Sequence, residues 1–420
     1  MKKGNVWRSG LVIAMALVFA CAMVVMTGSS ALAKDKVVKI GNILPLSGPS
    51  ASVGIQGKYA RELATEEINN AGGIKSLGGA KLENVYVDSK SDPTVGVTAA
   101  ERLINTNKVN ILSGCWNSAV TYPATQVAER YRIPFIVPVS VRNTITERGF
   151  KYTFRIAAKD AWWTRDQFEF LEDMKEKSGA DLKTMAFVYE NGDWGVGMAE
   201  QWEKLAKKYG YKVVLNEPYP STASDLTPVV MKIKRAKPDV ILLTSNASDA
   251  ILLTNTMAEM RVKAKAIIGT GGGHADPMFR KNCGANAEYM FDVVEWESDL
   301  SKPGIPELNA EFKKRHGFDL AGESVDAYAS VYVIADALER AASTDPKKIR
   351  EALVSTHLDS GPAMIVSYDA VEFDESGQNI NAGLVMVQYR MVDGTLERVS
   401  VWPASAAREG FEAVFPMPKK

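Results

Sequence analysis

Residues 110–139 read NILSGCWNSAVTYPATQVAERYRIPFIVPV. Residues 110–113 form a short apolar run, 118–132 carry helical spacing, and 134–139 are again apolar and β-branched. A strand, a helix and a second strand this close together predict a βαβ unit with parallel strands. The loop Gly114-Cys115-Trp116-Asn117-Ser118 leaves the carboxyl end of the first strand and opens the helix. In a doubly wound sheet, that is where ligands lie.

The alternation extends both ways. Upstream, 37–46 (VVKIGNILPL) reads as a buried strand closed by Ser47-Gly48-Pro49. A helix over 54–70, a strand over 82–87 and a helix over 93–107 follow. Downstream the pattern restarts. Helices are expected over 160–177, 194–209, 227–236 and 248–260, with strands over 184–189, 212–215, 240–244 and 266–269. Then the character changes. Residues 306–316 and 324–342 read as helices, and strands over 383–390 and 397–402 flank the turn Val392-Asp393-Gly394. The expectation is an α/β chain of two Rossmann-like lobes with parallel sheets. No long Pro/Gly/Ser linker separates them, which suits lobes sharing a hinge.

Composition excludes other classes. The 420 residues include 50 Lys+Arg, 50 Asp+Glu and three Cys, with 46% apolar and 24% charged residues. That is ordinary globular usage rather than a disordered or disulfide-dense chain. A balanced charge argues against a generally basic nucleic-acid binder.

The first segment is read apart from the fold. Lys2, Lys3 and Arg8 precede an uncharged apolar stretch over 11–26, and Ala31-Leu32-Ala33 stands before Lys34. This predicts a secretory signal peptide over 1–33, cleaved after Ala33, and hence a periplasmic protein. The alternatives are a retained anchor, since 9–33 could cross a bilayer, and a lipoprotein modified at Cys21. Cleavage removes three cations and no acid, leaving the mature chain slightly acidic. Cys115 and Cys283 then remain as two free or buried thiols.

Catalytic motifs are missing. The sequence has no G-x-S-x-G, no G-x-x-x-x-G-K-[ST] and no H-E-x-x-H. His274, His316 and His357 lack ligand spacing, so no metal site and no cofactor is expected. GTGGG at 269–273 is read as a flexible turn after a strand. Ser118 either caps its helix or holds an anion such as a carboxylate at the helix N-terminus. Trp116 is then an apolar wall or core. In the second lobe, 190–195 (ENGDWG) repeats the arrangement, and Trp194 either closes over a ligand or packs within its own lobe.

Several segments carry a resemblance: KIGNILPLSGPSASVG, INNAGGI, LENVYVDSKSDP, SGCWNSAVTYPA, IPFIVPVS, ERGFKYTFRIAAKD, YENGDWGVGMAE, FDESGQN and VMVQYRMVDG. In this order the chain resembles the periplasmic leucine/isoleucine/valine-binding family, the type I solute-binding proteins of ABC importers. The resemblance implies two lobes joined by three crossovers, with 34–155 plus about 291–355 in the first. Residues 156–290 plus about 356–420 fall in the second lobe and the hinge. It implies a monomer without enzymatic activity that closes around a small-molecule ligand and delivers it to an inner-membrane ABC permease. A periplasmic ligand sensor with the same fold is the alternative.

The resemblance also implies site residues. Ser118 matches the serine that binds an amino acid's carboxylate, with Trp116 and Asn117 as preceding wall positions. Ser140 and Val141 stand where a carbonyl and a small hydroxyl meet the ligand ammonium, and Arg142 beside them could hold an anion. Trp194 matches an aromatic that covers the ligand, and Asn246 lies near another such position. The family's ammonium-pairing acid should fall near Gly271, where this chain has only glycines. Asp160, Glu190, Asp193 or Asp249 then supplies the charge, or the ligand has no ammonium. An open Gly271 beside large tryptophans suits an amino acid or related carboxylate or amide better than a branched-chain amino acid. Ser91 stands where some members have a disulfide cysteine.

Overall fold

The structure, a computed structural model, describes residues 37–418. The expected signal peptide, its cleavage after Ala33 and Cys21 lie outside the described residues.

Two sheets carry the fold. The first has five strands in the order β2-β1-β3-β4-β5: β1 Val37–Leu44, β2 Lys81–Asp88, β3 Ile111–Gly114, β4 Phe135–Val137 and β5 Thr153–Arg155. β3 pairs parallel with β1 and β4, and β4 with β5. The second sheet has seven strands. β6 Thr184–Glu190, β7 Lys212–Tyr219, β8 Val240–Thr244, β9 Ala266–Thr270 and β10 Phe291–Val294 form its parallel part. The small strands β11 His357–Leu358 and β12 Val371–Glu372 pair with each other. β13 Val385–Val392 and β14 Thr395–Trp402 then add an antiparallel hairpin beside β10.

Sequence explains which strands are central. β8 (VILLT) and β9 (AIIGT) are buried at every position, as strands covered on both faces must be. β7 sits at the sheet edge, carries Lys212 and Glu217 and is mostly exposed or half-buried. Charges at an edge discourage pairing with another chain. Helix Gly322–Ala341, whose first-turn residues are almost all buried, packs along helix Ala51–Asn70 of the first lobe.

The chain crosses between the sheets three times: after β5, after β10 and before β13. The expected boundary at 290/291 is corrected, because β10 belongs to the seven-stranded sheet. Asp292 interrupts its apolar run and hides it from a pattern reading. Residues 377–379, expected with the second lobe, instead lie against β5. The Arg155 N–H donates to Gly377 O and the Asn379 N–H to Arg155 O, both at 2.8 Å.

Candidate ligand-binding site

The loops at the carboxyl ends of β3, β6, β8 and β9 converge on one cavity, partly open to solvent. Both lobes and the second crossover line it.

The first-lobe wall is the loop Gly114–Ser118. Asn117 occupies the N-cap position and Ser118 is the first helical residue, so Ser118 is not the cap that one reading expected. Its Oγ accepts from the Arg142 N–H at 3.3 Å. The first N–H groups of a helix have no intrahelical acceptor, and Ser118 and Ala119 both line the cavity. Trp116 also lines it, with a left-handed φ of 80° and a buried Nε1–H that finds no acceptor. Asn117 donates to Ser50 Oγ at 2.9 Å, leaving its Oδ1 buried and unpartnered.

Ser140 and Val141 line the cavity but are committed inward. Ser140 Oγ donates to Trp116 O at 2.8 Å, and Ser140 O accepts from the Arg155 guanidinium at 3.1 Å. Val141 O accepts from the Asp160 N–H at 2.9 Å. Arg142 is corrected from a candidate anion holder. Its guanidinium reaches across to Asp193 O at 3.3 Å and pairs with Glu200 at 3.3 Å.

The second-lobe wall is different in charge. Glu190 accepts from the N–H groups of Gly192 at 2.6 Å and Gly195 at 2.7 Å, folding back over the start of its own helix. Burial raises its pKa against those two bonds. Trp194 meets Trp116 edge-on, ring centroids 6.3 Å apart. Asn246 and Asp193 also line the cavity. Asp249 does not. It caps the Asn246 N–H and accepts from Tyr219 Oη at 2.8 Å, with burial lifting its pKa to about 6. Asp160 also stays behind the wall. It accepts from the Asn143 N–H at 3.1 Å, and burial lifts it to about 7.

The glycine turn is closely packed rather than open, which corrects the expectation for Gly271. Gly271 and Gly272 both adopt left-handed φ, 51° and 52°. A Cβ on Gly271 would lie 2.8 Å from the Trp163 ring, and one on Gly272 would lie 2.4 Å from the Trp194 ring. The glycines let two tryptophans close down on the turn. Gly272 and Thr270 line the cavity; Gly271 does not. His274 beyond it is buried, and burial drives its pKa to about 3, so it is neutral.

Among the wall residues that escaped the sequence reading are Trp163, Glu295 and Glu323. Glu295 follows β10, the unrecognised strand. Glu323 looked like an ordinary acid in a helix's first turn. The run VVEWES at 293–298, with acids inside an apolar stretch, was the available signal. Cys115 and Cys283 are buried and free. Among the described residues, no group of three or more His, Cys, Asp or Glu could hold a metal ion.

Comparison with known proteins places this architecture. The profile of the periplasmic binding proteins matches residues 37–391. The Leu/Ile/Val-binding protein homolog 7 of Brucella suis is 30% identical over 382 residues, covering 88% of this chain and 92% of its own. The leucine-binding protein LivK of Thermotoga maritima superposes with a TM-score of 0.75 at 23% identity, over 86% of this chain and 97% of its own. An ABC-transporter solute-binding protein of Rhodopseudomonas palustris, solved with 3,4-dihydroxybenzoic acid, gives 0.76 at 22%, over 90% and 98%.

Proposed function

This chain belongs to the periplasmic binding protein family, in its Leu/Ile/Val-binding branch, and from that premise we propose that it is the receptor of an ABC importer. It captures an amino acid or related small carboxylate or amide in the periplasm, as a monomer, and hands it to an inner-membrane permease. The family's role is solute binding rather than catalysis.

One observation carries the ligand class. The first-lobe wall offers a helix start at Ser118 and Ala119 whose N–H groups no side chain caps. A carboxylate answers them, because a helix N-terminus favours negative charge. A ligand so held also touches Trp194 and Glu190 of the second lobe, which it can do only when the lobes are together. Binding therefore shifts an open–closed equilibrium about the crossovers.

The solved relatives point to different ligands: one is named for leucine and another was solved with an aromatic acid. We place this chain away from the branched-chain amino acids, because tryptophans and buried carboxyls line its cavity. A thermal-shift screen of amino acids, aromatic acids and amides tests this, and a clear preference for Leu, Ile and Val refutes it. With the best ligand in hand, Ser118→Ala is expected to weaken binding by about 1–3 kcal/mol, the loss of a hydrogen bond to a charge. Unchanged affinity by calorimetry removes Ser118 from the site.

A further inference from the structure

We propose that Arg61, buried behind the first-lobe wall, supplies the positive charge that makes this wall select an anion. This rests on the carboxylate-receptor reading above and adds a residue that acts on the ligand through the wall, without touching it.

Arg61 lies in the middle of helix Ala51–Asn70 and is 2% exposed. Among the described residues its guanidinium makes one hydrogen bond, from Nη1 to Gly57 O at 3.1 Å, and its Nε–H is buried without an acceptor. Gly57 gives it room, since a Cβ there would lie 3.2 Å from Nη1. The acids of its own helix are engaged elsewhere. Glu62 pairs with Lys58 at 3.7 Å, Glu66 pairs with Arg315 at 2.8 Å, and Glu67 accepts from Tyr332 Oη at 2.6 Å. The titratable groups facing Arg61 are Tyr86 and Cys115, and burial raises both, so both are neutral near pH 7. Burial lowers Arg61 itself to about 10, which leaves it charged.

A second buried guanidinium shows what a structural role looks like. Arg155 donates to Gln378, Ser140 O, Arg142 O and Thr146, and so ties residue 378 to the loop after β4. Arg61 ties no such segments together. An unpaired buried cation is costly, and an apolar group of similar volume in its place is often neutral or stabilising.

Its position gives the charge a use. Arg61 lines a narrow space at the carboxyl ends of β1 and β4, shared with Leu44, Trp116, Val139 and Glu323. Trp116 and Val139 also line the ligand cavity, so one layer of side chains separates the guanidinium from a bound ligand. Glu323, the acid on that narrow space, accepts from the Gly272 N–H at 2.8 Å. Across one layer, on the order of 10 Å at an effective dielectric constant of about 20, a charge shifts a binding equilibrium by roughly tenfold. The uncapped N–H groups at Ser118 and Ala119 fix where the anion sits, and Arg61 adds the net charge that backbone dipoles lack.

The test compares acids with their own amides, which differ in the charge of that end: phenylalanine and phenylalaninamide, leucine and leucinamide, benzoate and benzamide. Calorimetry on the wild-type protein is expected to favour the acid in every pair that binds. Arg61→Met should cut that acid-over-amide ratio about tenfold, with the amide's affinity within about twofold of wild type. Arg61→Gln, which keeps a donor for Gly57 O, should behave alike, and Arg61→Lys should keep most of the ratio. Without ligand, Arg61→Met should melt no lower than the wild type. An unchanged ratio in both neutral variants overturns the proposal, and so does an equal loss for acid and amide. Neutral variants that melt lower or do not fold make Arg61 a structural residue and overturn it too. Each of these spares the carboxylate reading. If the wild type does not prefer the acids, or no pair binds, that reading falls and Arg61's role falls with it.

Discussion

Two loops face each other across the cavity, and they were built on one plan. Each leaves the carboxyl end of a parallel strand, carries a tryptophan and opens a helix: 114–118 after β3, and 191–195 after β6. Their electrostatics are opposite. The helix beginning at Ser118 has no acid in its first turn and leaves its N–H groups to the cavity. The helix beginning at Asp193 is already covered by the Glu190 carboxyl, which takes the N–H groups of Gly192 and Gly195. One fold position thus leaves helix-start donors uncapped in the first lobe and is filled by a carboxyl in the second. The arrangement polarises the cavity, with donors on one wall and carboxyls on the other.

The largest expected effect concerns protons held by carboxyls buried in and behind the second-lobe wall. Asp160 and Glu190 both have folded pKa values above their ordinary ones, because burial penalises the charge. The folded state then binds protons that the unfolded chain releases, so stability falls as pH rises from about 4 to about 7. For Asp160, buried and lifted to about 7, the change is at most about 4 kcal/mol across that window. Denaturant unfolding at several pH values checks this, and Asp160→Asn should flatten the slope. A wild-type stability that rises over the same window means that these buried carboxyls are ionised in the folded protein.

Making the two helix starts alike is the next test. Ser118→Asp puts a carboxylate on the first helix as Glu190 does on the second. An acid at a helix N-terminus is tolerated or stabilising, so folding should survive, with the melting temperature near that of the wild type. Carboxylate binding should fall about 100-fold or more, since the ligand's charge would meet a like charge in a buried place. Retained affinity would show that the anion sits elsewhere.

How much of this was legible follows from where each residue's signal resides. The strands β3, β6, β8 and β9, and the loops at their ends, declare themselves by local pattern, so Trp116, Ser118 and Trp194 could be pointed out in advance, whereas Asn246 came from the family resemblance. Neither route reached Glu295 and Glu323. They meet only because the second crossover brings residue 295 against the start of a helix on the other lobe, and nothing local marks that contact. Gly271 and Gly272 misled for a related reason. Glycine reads as freedom, whereas here it provides clearance for Trp163 and Trp194, which come from distant segments. Arg142 failed in the same way, as a cation beside a cavity whose partner lies on the opposite lobe.

Arg142 gives the smallest effect and the cleanest discrimination. Its guanidinium spans the cleft to Asp193 O and Glu200, through space that a side chain at Gly197 would fill. The Arg142 side chain is 18% exposed, but that of Glu200 is 52% exposed. A pair this open to water contributes about 0.2–1 kcal/mol and weakens with salt. Its worth is spent only when the lobes touch, so Arg142→Gln should weaken ligand binding by no more than about fivefold. The melting temperature of the ligand-free protein should barely move, and added salt should reproduce the loss in the wild type. A loss near 100-fold, insensitive to salt, would mean instead that Arg142 holds the ligand's anion directly. The first lobe would then carry a charged anion site, and the helix start at Ser118 would no longer be what distinguishes it from the second.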